Sequence, residues 1–176
     1  MTEKIDVLIS EDEVELRIRH MAEEINRDYS GKNLYVISIL RGAVFFTVEL
    51  VKRLKVPVYL DFMQVSSYGD SQVSSGNIKV KKEPDGDIEG KDVLVIEDII
   101  DTGHTLKYLK EYLQKRNPAS VKLCALLDKP ERREAEIDMD YTGFSIPDKF
   151  VVGYGLDYAQ KYRNLPYIGV VELKED

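Results

Sequence analysis

The sequence predicts a single α/β domain, residues 1–176, built on a mostly parallel, twisted sheet flanked by helices. Three observations predict it. Two strand–helix–strand stretches, 34–68 and 92–129, each require a parallel pairing with a crossover helix laid on the sheet. An apolar run ends in two adjacent acids, Glu97-Asp98, ahead of a glycine-containing turn, which is the order of a ligand-binding strand end in an open α/β sheet. No internal repeat, low-complexity tract or linker divides the 176 residues.

Ser10 followed by Glu13 is a capping-box signature, and Val14, Ile18, Met21 and Ile25 recur at helical spacing until Ser30-Gly31, so residues 11–29 are expected to be a helix. LYVISIL, 34–40, is apolar on both faces and reads as a buried strand. Arg41-Gly42 lead into AVFFTVELVKRL, where Phe45, Val48 and Val51/Lys52 are spaced as the apolar face of an amphipathic helix. VPVYLDFMQVSSY, 56–68, is the next strand. SSYGDSQVSSGN, 66–77, has Val73 as its one large aliphatic residue and is expected to be a mobile loop. NIKVKK alternates like an exposed strand and Glu83-Pro84-Asp85-Gly86-Asp87 supplies turn chemistry, together a hairpin flanking the core. DVLVIED at 92–98, a helix from 105 to 115 and VKLCALLDK at 121–129 complete the second unit; FVVGYG, 150–155, and YIGVVEL, 167–173, are further strands.

The 25 Lys+Arg against 32 Asp+Glu leave a net charge of −7, so there is no basic field for counterion-release binding to a nucleic-acid duplex. Cys124 is the one cysteine, which excludes an intrachain disulfide, disfavours a thiolate zinc site and fits a reducing compartment. The start MTEKIDVLIS lacks a signal-peptide pattern and no apolar run reaches the roughly 20 residues that span a bilayer, so the expected location is cytoplasmic.

The densest chemical signal is VLVIEDIIDTGHTL, 93–106. Adjacent carboxylates at a buried strand end repel each other and lose hydration, a cost that cations or hydroxyl donors opposite them offset; sugar hydroxyls and Mg²⁺ both qualify. Asp101-Thr102-Gly103-His104-Thr105 then turns into a helix whose free N–H groups and dipole suit a phosphate. A phosphomonoester beside a diol describes a ribose 5-phosphate. The plain alternative is a strand–helix connection capped by Asp101 and Thr102.

These residues, with SILRGAVFF at 38–46, SSYGDSQVSSGNIKV at 66–80, LLDKP at 126–130 and FVVGYGLDYAQKYRNLPYIGV at 150–170, resemble the type I phosphoribosyltransferases, and within them the branch acting on hypoxanthine and guanine. The resemblance spans most of the chain and implies that family's fold, with a small hood and a flexible lid over the sheet. It implies transfer of 5-phosphoribose from 5-phosphoribosyl 1-diphosphate to N9 of hypoxanthine or guanine, with Mg²⁺ as cofactor, in a homodimer or homotetramer. Glu97 and Asp98 match the pair on the ribose hydroxyls and, with Asp157, the residues that reach the metal. Asp101, Thr102, Gly103, His104 and Thr105 match the 5-phosphate loop, in which His104 replaces the lysine or arginine that many members carry. Asp101 also matches the carboxylate that takes the purine N7 proton, the catalytic role. Lys129, Phe150, Val151 and Asp157 match the purine site, with Lys129 donating to a 6-oxo group that adenine lacks. Leu40-Arg41-Gly42 and Arg163 match the diphosphate site, including a cis peptide before Arg41, and Ser67-Tyr68 match the lid. The alternatives are a xanthine-preferring transferase and an RNA-binding regulator on the same fold, the second opposed by the acidic charge.

Overall fold

The computed structural model describes residues 2–67 and 78–174, arranged around two sheets. The larger sheet has the order β4 (Ile78–Lys82), β3 (Val58–Ser67), β2 (Leu34–Leu40), β5 (Asp92–Ile100), β6 (Ser120–Asp128) and β7 (Tyr141–Ser145). All its pairings are parallel except β3 with β4. Leu34 stands opposite both Val58 and Asp92, so β2, β3 and β5 start level and their carboxyl ends finish close together. That register brings the turn after Leu40 beside Glu97-Asp98.

Alternate residues of the central strands serve opposite faces, which is why the strands read as unbroken apolar runs. Val36, Leu94, Ile96 and Leu126 pack against α1 (Glu11–Asp28) and α2 (Val44–Val51), through Ile18, Met21, Ile25, Phe46 and Leu50. Ile37, Val93, Val95, Leu123 and Ala125 pack against α3 (His104–Gln114), through Leu106, Leu109 and Leu113. The capping box of α1 forms in both directions: the Glu13 N–H donates to Ser10 Oγ and the Ser10 N–H to Glu13 Oε2 at 2.9 Å. Cys124 is buried in β6, where burial pushes its thiol far above the usual range and leaves it unreactive.

The second sheet is antiparallel, β1 (Thr2–Ile9), β9 (Ile168–Lys174) and β8 (Val151–Val152), and forms the hood. Its residues Ile9, Val151 and Ile168 join the apolar cluster on the α1 side.

Several expectations are corrected. The exposed face of α2 carries Phe45 and Val48, each 43% exposed, whereas Phe46, Thr47 and Leu50 are buried. VFFTVELV is apolar around most of its circumference, so its periodicity does not select a face; the buried 2.7 Å hydrogen bond between Ser38 Oγ and Thr47 Oγ1 ties the Thr47 side to β2. FVVGYG is a strand only at Val151–Val152, because Gly153 takes φ +94° and turns the chain. The strand at 78–82 pairs back with β3, and the turn at 83–87 leads away across the sheet to β5, held by Asp61. Burial pushes the Asp61 carboxyl up, but hydrogen bonds from Tyr35 Oη and the N–H groups of Phe62, Gly86 and Asp85 outweigh it and hold the carboxyl below its ordinary value. Strands β1 and β7 have no counterpart in the sequence reading. The first pairs with β9 about 165 residues away, and Gly143 in β7 lies so close to Leu126 O that a Cβ would approach within 2.3 Å. The lid residue Tyr68 and the loop 68–77 lie outside the described residues; Ser67 is described as the last backbone position of β3.

Candidate active site

β5 carries its apolar residues inward as far as Ile96 and then presents two carboxylates. Glu97 is buried and Asp98 partly so. Glu97 Oε1 accepts the Asp98 N–H at 3.1 Å and Asp98 Oδ1 accepts the Ile99 N–H at 2.8 Å. Burial, then the neighbouring Asp98, hold the Glu97 carboxyl well above the usual range. Burial also raises Asp98, although backbone hydrogen bonds and the positive field of Arg163 pull the other way. The turn after β2 presses on this pair: a Cβ at Gly42 would lie 1.6 Å from Asp98 Oδ2. The Leu40–Arg41 peptide ahead of it is cis.

Beyond the acids, Asp101–Gly103 turn into α3. Gly103 is the N-cap at φ +87°, a conformation glycine adopts freely, and no side chain caps the helix. Capping by Asp101 and Thr102, the plain alternative, is therefore absent, and the first-turn N–H groups are left for water or a ligand. They border a cavity of about 150 Å³ lined by Glu97, Asp98, Asp101, Thr102, Gly103 and Thr105. His104 does not line it; its Nε2 lies 2.9 Å from Glu134 Oε2.

The segment after β6 braces this loop. The N–H groups of Glu134 and Ala135 donate to Thr102 O at 3.0 and 2.9 Å, Arg133 Nε donates to Asp101 O at 3.3 Å, and Arg133 is ion-paired with Asp128. Arg132 Nε lies 3.0 Å from Asp101 Oδ1. Lys129 is buried at the end of β6, its N–H bound to Ile100 O at 2.9 Å and its Nζ 3.5 Å from Asp148 Oδ1. Phe150, at the start of the hood strand, is 55% exposed and edge-on to the Tyr158 ring at 5.7 Å, while Val151 is buried beside it. An exposed aromatic ring is suited to stacking on a planar ligand.

The loop 153–163 closes the opposite side. Arg163 Nη2 lies 2.7 Å from Asp157 Oδ1, its Nη1 donates to Gly155 O at 2.6 Å, and Asp157 Oδ2 accepts the Gln160 N–H at 2.8 Å. Gln160 Oε1 accepts from both Arg41 Nη1, at 3.2 Å, and Arg163 Nη2, at 3.4 Å, and so joins the two guanidinium groups. Gly155, at φ +102°, lies flush against Gly42, whose carbonyl oxygen a Cβ would approach within 1.9 Å. Glu97, Asp98, Gly42, Arg163 and the 101–105 loop thus share one strand-end cleft. Asp157 stands with Arg163 instead of joining the acidic pair, and among the described residues no three His, Cys, Asp or Glu side chains converge as a metal cage. Two carboxylates with open space before them fit Mg²⁺, which binds through one or two carboxylates and completes its shell with water and substrate oxygens.

Sequence reasoning overlooked Gln160, Arg132 and Asp148. The run KPERRE directly after the strand-end lysine was the available signal for Arg132, since charges placed there fall at the ligand end of the sheet. Nothing in the sequence pairs Asp148 with Lys129 or Gln160 with Arg41.

Residues 8–159 match the phosphoribosyl transferase domain family. The chain is 49% identical over 174 residues to the hypoxanthine phosphoribosyltransferase of Haemophilus influenzae, covering 97% of each. It is 53% identical over 166 residues to the bifunctional protein TilS/HprT of Listeria monocytogenes, covering 94% of this chain but only 26% of that longer relative. A crystal structure of a hypoxanthine-guanine phosphoribosyltransferase from Bacillus anthracis, with a HEPES molecule in the active site, superposes with a TM-score of 0.92 at 43% identity, covering 98% of this chain and all of that one.

Proposed function

Because the chain belongs to the phosphoribosyltransferase family, we propose that it transfers 5-phosphoribose from 5-phosphoribosyl 1-diphosphate to N9 of hypoxanthine or guanine, releasing pyrophosphate and serving purine salvage in the cytoplasm. One observation carries this reading: a buried acidic pair and an uncapped helix N-terminus border the same cavity of about 150 Å³. The first matches a diol and the second a phosphate, and ribose 5-phosphate supplies both.

In this reading Glu97 and Asp98 accept hydrogen bonds from the ribose hydroxyls, and the N–H groups and hydroxyls of the 101–105 loop hold the 5-phosphate, with the His104 side chain turned to Glu134 and taking no part. Arg41 and Arg163, joined by Gln160, face the diphosphate together with the Leu40 and Gly42 backbone. Glu97 and Asp98 would hold Mg²⁺, which when bound would supply positive charge to offset the negative charge of the departing diphosphate. Asp157, both of whose oxygens are engaged by Arg163 and the Gln160 N–H, would have to release a partner to help hold the ion directly. As the C1–diphosphate bond breaks, positive charge builds on the sugar and the purine N9 captures it. Asp101 accepts the proton that the base loses at N7, Phe150 stacks on the ring, Val151 offers backbone groups to its edge, and Lys129 donates to the 6-oxo oxygen. The chain works as a homodimer or homotetramer.

Turnover with the sugar diphosphate and Mg²⁺, followed spectrophotometrically for hypoxanthine, guanine, xanthine and adenine, tests the proposal; no turnover with any 6-oxopurine removes it. Lys129→Gln is expected to cut kcat/KM for hypoxanthine by about 10²-fold, the worth of one charged hydrogen bond, and to narrow the preference over adenine, because an amide both donates and accepts. An unchanged hypoxanthine-to-adenine ratio in that variant removes Lys129 from the base site.

A further inference from the structure

Two ion pairs at the purine end of the cleft share one residue. Arg132 Nε lies 3.0 Å from Asp101 Oδ1, and Arg132 Nη1 lies 3.9 Å from Asp148 Oδ2. The other Asp148 oxygen lies 3.5 Å from Lys129 Nζ. The result is an alternating row, Asp101, Arg132, Asp148, Lys129, that carries no net charge and connects the β5–α3 turn, the segment after β6 and the approach to β8. Its two ends are the groups assigned above to purine N7 and to the 6-oxo oxygen.

The members differ in what they need. The Lys129 side chain is 11% exposed, and among the described residues Asp148 is its one ion-pair partner. A buried ammonium without a counter-ion is costly, so Asp148 has to stay close. Yet Asp148, 45% exposed, is drawn toward water and needs a second anchor. A guanidinium supplies it, because its planar fork of donors reaches two carboxylates at once where an ammonium acts as a point charge. Arg132 is itself fixed: it ends the single 3₁₀ turn Pro130–Arg132, and its N–H donates to Lys129 O at 3.1 Å.

The geometry points to Arg132 as a positioning residue of the purine site: it holds Asp101 directly and Lys129 by way of Asp148, so that both groups facing the base are set before the base arrives. This rests on the purine reading given above. Base binding then exchanges ion pairs within a neutral row instead of burying a new charge.

Steady-state kinetics with hypoxanthine and 5-phosphoribosyl 1-diphosphate test it, on the unaltered protein, Arg132→Ala, Arg132→Lys, Asp148→Asn and the Arg132→Ala/Asp148→Asn double variant. Failure of the unaltered protein to turn over any 6-oxopurine refutes the functional reading itself and is seen before any variant is compared. Arg132→Ala is expected to raise KM for hypoxanthine about fivefold and to leave KM for the sugar diphosphate within about twofold, the scale of a partly exposed ion-pair network. Arg132→Lys should fall between Arg132→Ala and the unaltered protein. The double variant should fall short of the product of the two single effects, because both residues act through one row. Equal movement of both KM values, no movement of either, no recovery in Arg132→Lys, or fully multiplicative losses would each overturn the inference.

Discussion

Alanine at position 42 is expected to lower kcat/KM by about 10²-fold or more, the cost of displacing a positioned group by an ångström. The added Cβ would sit 1.6 Å from Asp98 Oδ2 and 2.6 Å from its Cγ, so that carboxylate has to leave its place. Backing the turn away offers no relief, because Gly155 lies against the Gly42 carbonyl on the other side. Asp98 is also held from behind by the Ile99 N–H at 2.8 Å, so moving it breaks a hydrogen bond as well. Kinetics on a variant that melts within a few degrees of the unaltered protein measure the effect. Activity within about threefold of normal would mean that Asp98 does not have to stand where the structure has it.

Glu97→Gln is expected to do two opposed things: raise the stability of the ligand-free protein at neutral pH by on the order of 1 kcal/mol, and cut activity by one to two orders of magnitude. Burial and the adjacent Asp98 hold the Glu97 carboxyl well above its ordinary value. Between the ordinary carboxylate range and that raised value, the folded chain binds more protons than the unfolded one. Stability therefore falls as pH rises through this window, the reverse of the trend for a carboxyl such as Asp61 that hydrogen bonds hold below its ordinary value. An amide keeps the shape of Glu97, removes the buried charge and donates to Asp98, so the variant's stability should depend less on pH. Melting temperatures of both proteins from about pH 5 to 8, with and without Mg²⁺, decide it. Added Mg²⁺ should stabilise the unaltered protein more than the variant, since the ion relieves a repulsion the variant lacks. A variant that melts lower at every pH would show that Glu97 is held by contacts and not strained by charge.

The two effects have one origin. A pair of acids buried together is unfavourable until something positive or hydroxyl-rich stands before it, and in the proposed function that same deficit would favour a sugar and a metal ion. The adjacent Gly42 and the uncapped end of α3 follow the same logic, one letting the chain approach Asp98 closely and the other leaving backbone donors unpaired beside it.

Much of this was legible in the chain. Where a local rule sufficed, element and sequence agreed: the Ser10/Glu13 capping box starts α1, LYVISIL forms β2 from Leu34 to Leu40, and the apolar run before Glu97-Asp98 lies in β5, which continues past the two acids to Ile100. The buried acids and the DTGHT turn were readable because their cost and their donors arise within a few residues of one another. What escaped depends on partners distant in sequence. The strand β1 exists because β9 lies beside it, and β7 because Gly143 lets it pack flush on β6. The face of α2 was undecided locally, since its apolar residues nearly surround it, and the Ser38–Thr47 hydrogen bond settles it.

By itself, then, the amino-acid order determined the strand and helix segments of the two βαβ units and the side-by-side placing of the acidic pair and the glycine turn that follows it, all set by contacts over a few residues. Only the tertiary structure decided which charges answer one another: Asp148 with Lys129, Arg132 with Asp101, Gln160 between Arg41 and Arg163. Ion pairs across loops depend on distances that the packing of the sheet establishes, and no periodicity in the chain encodes them.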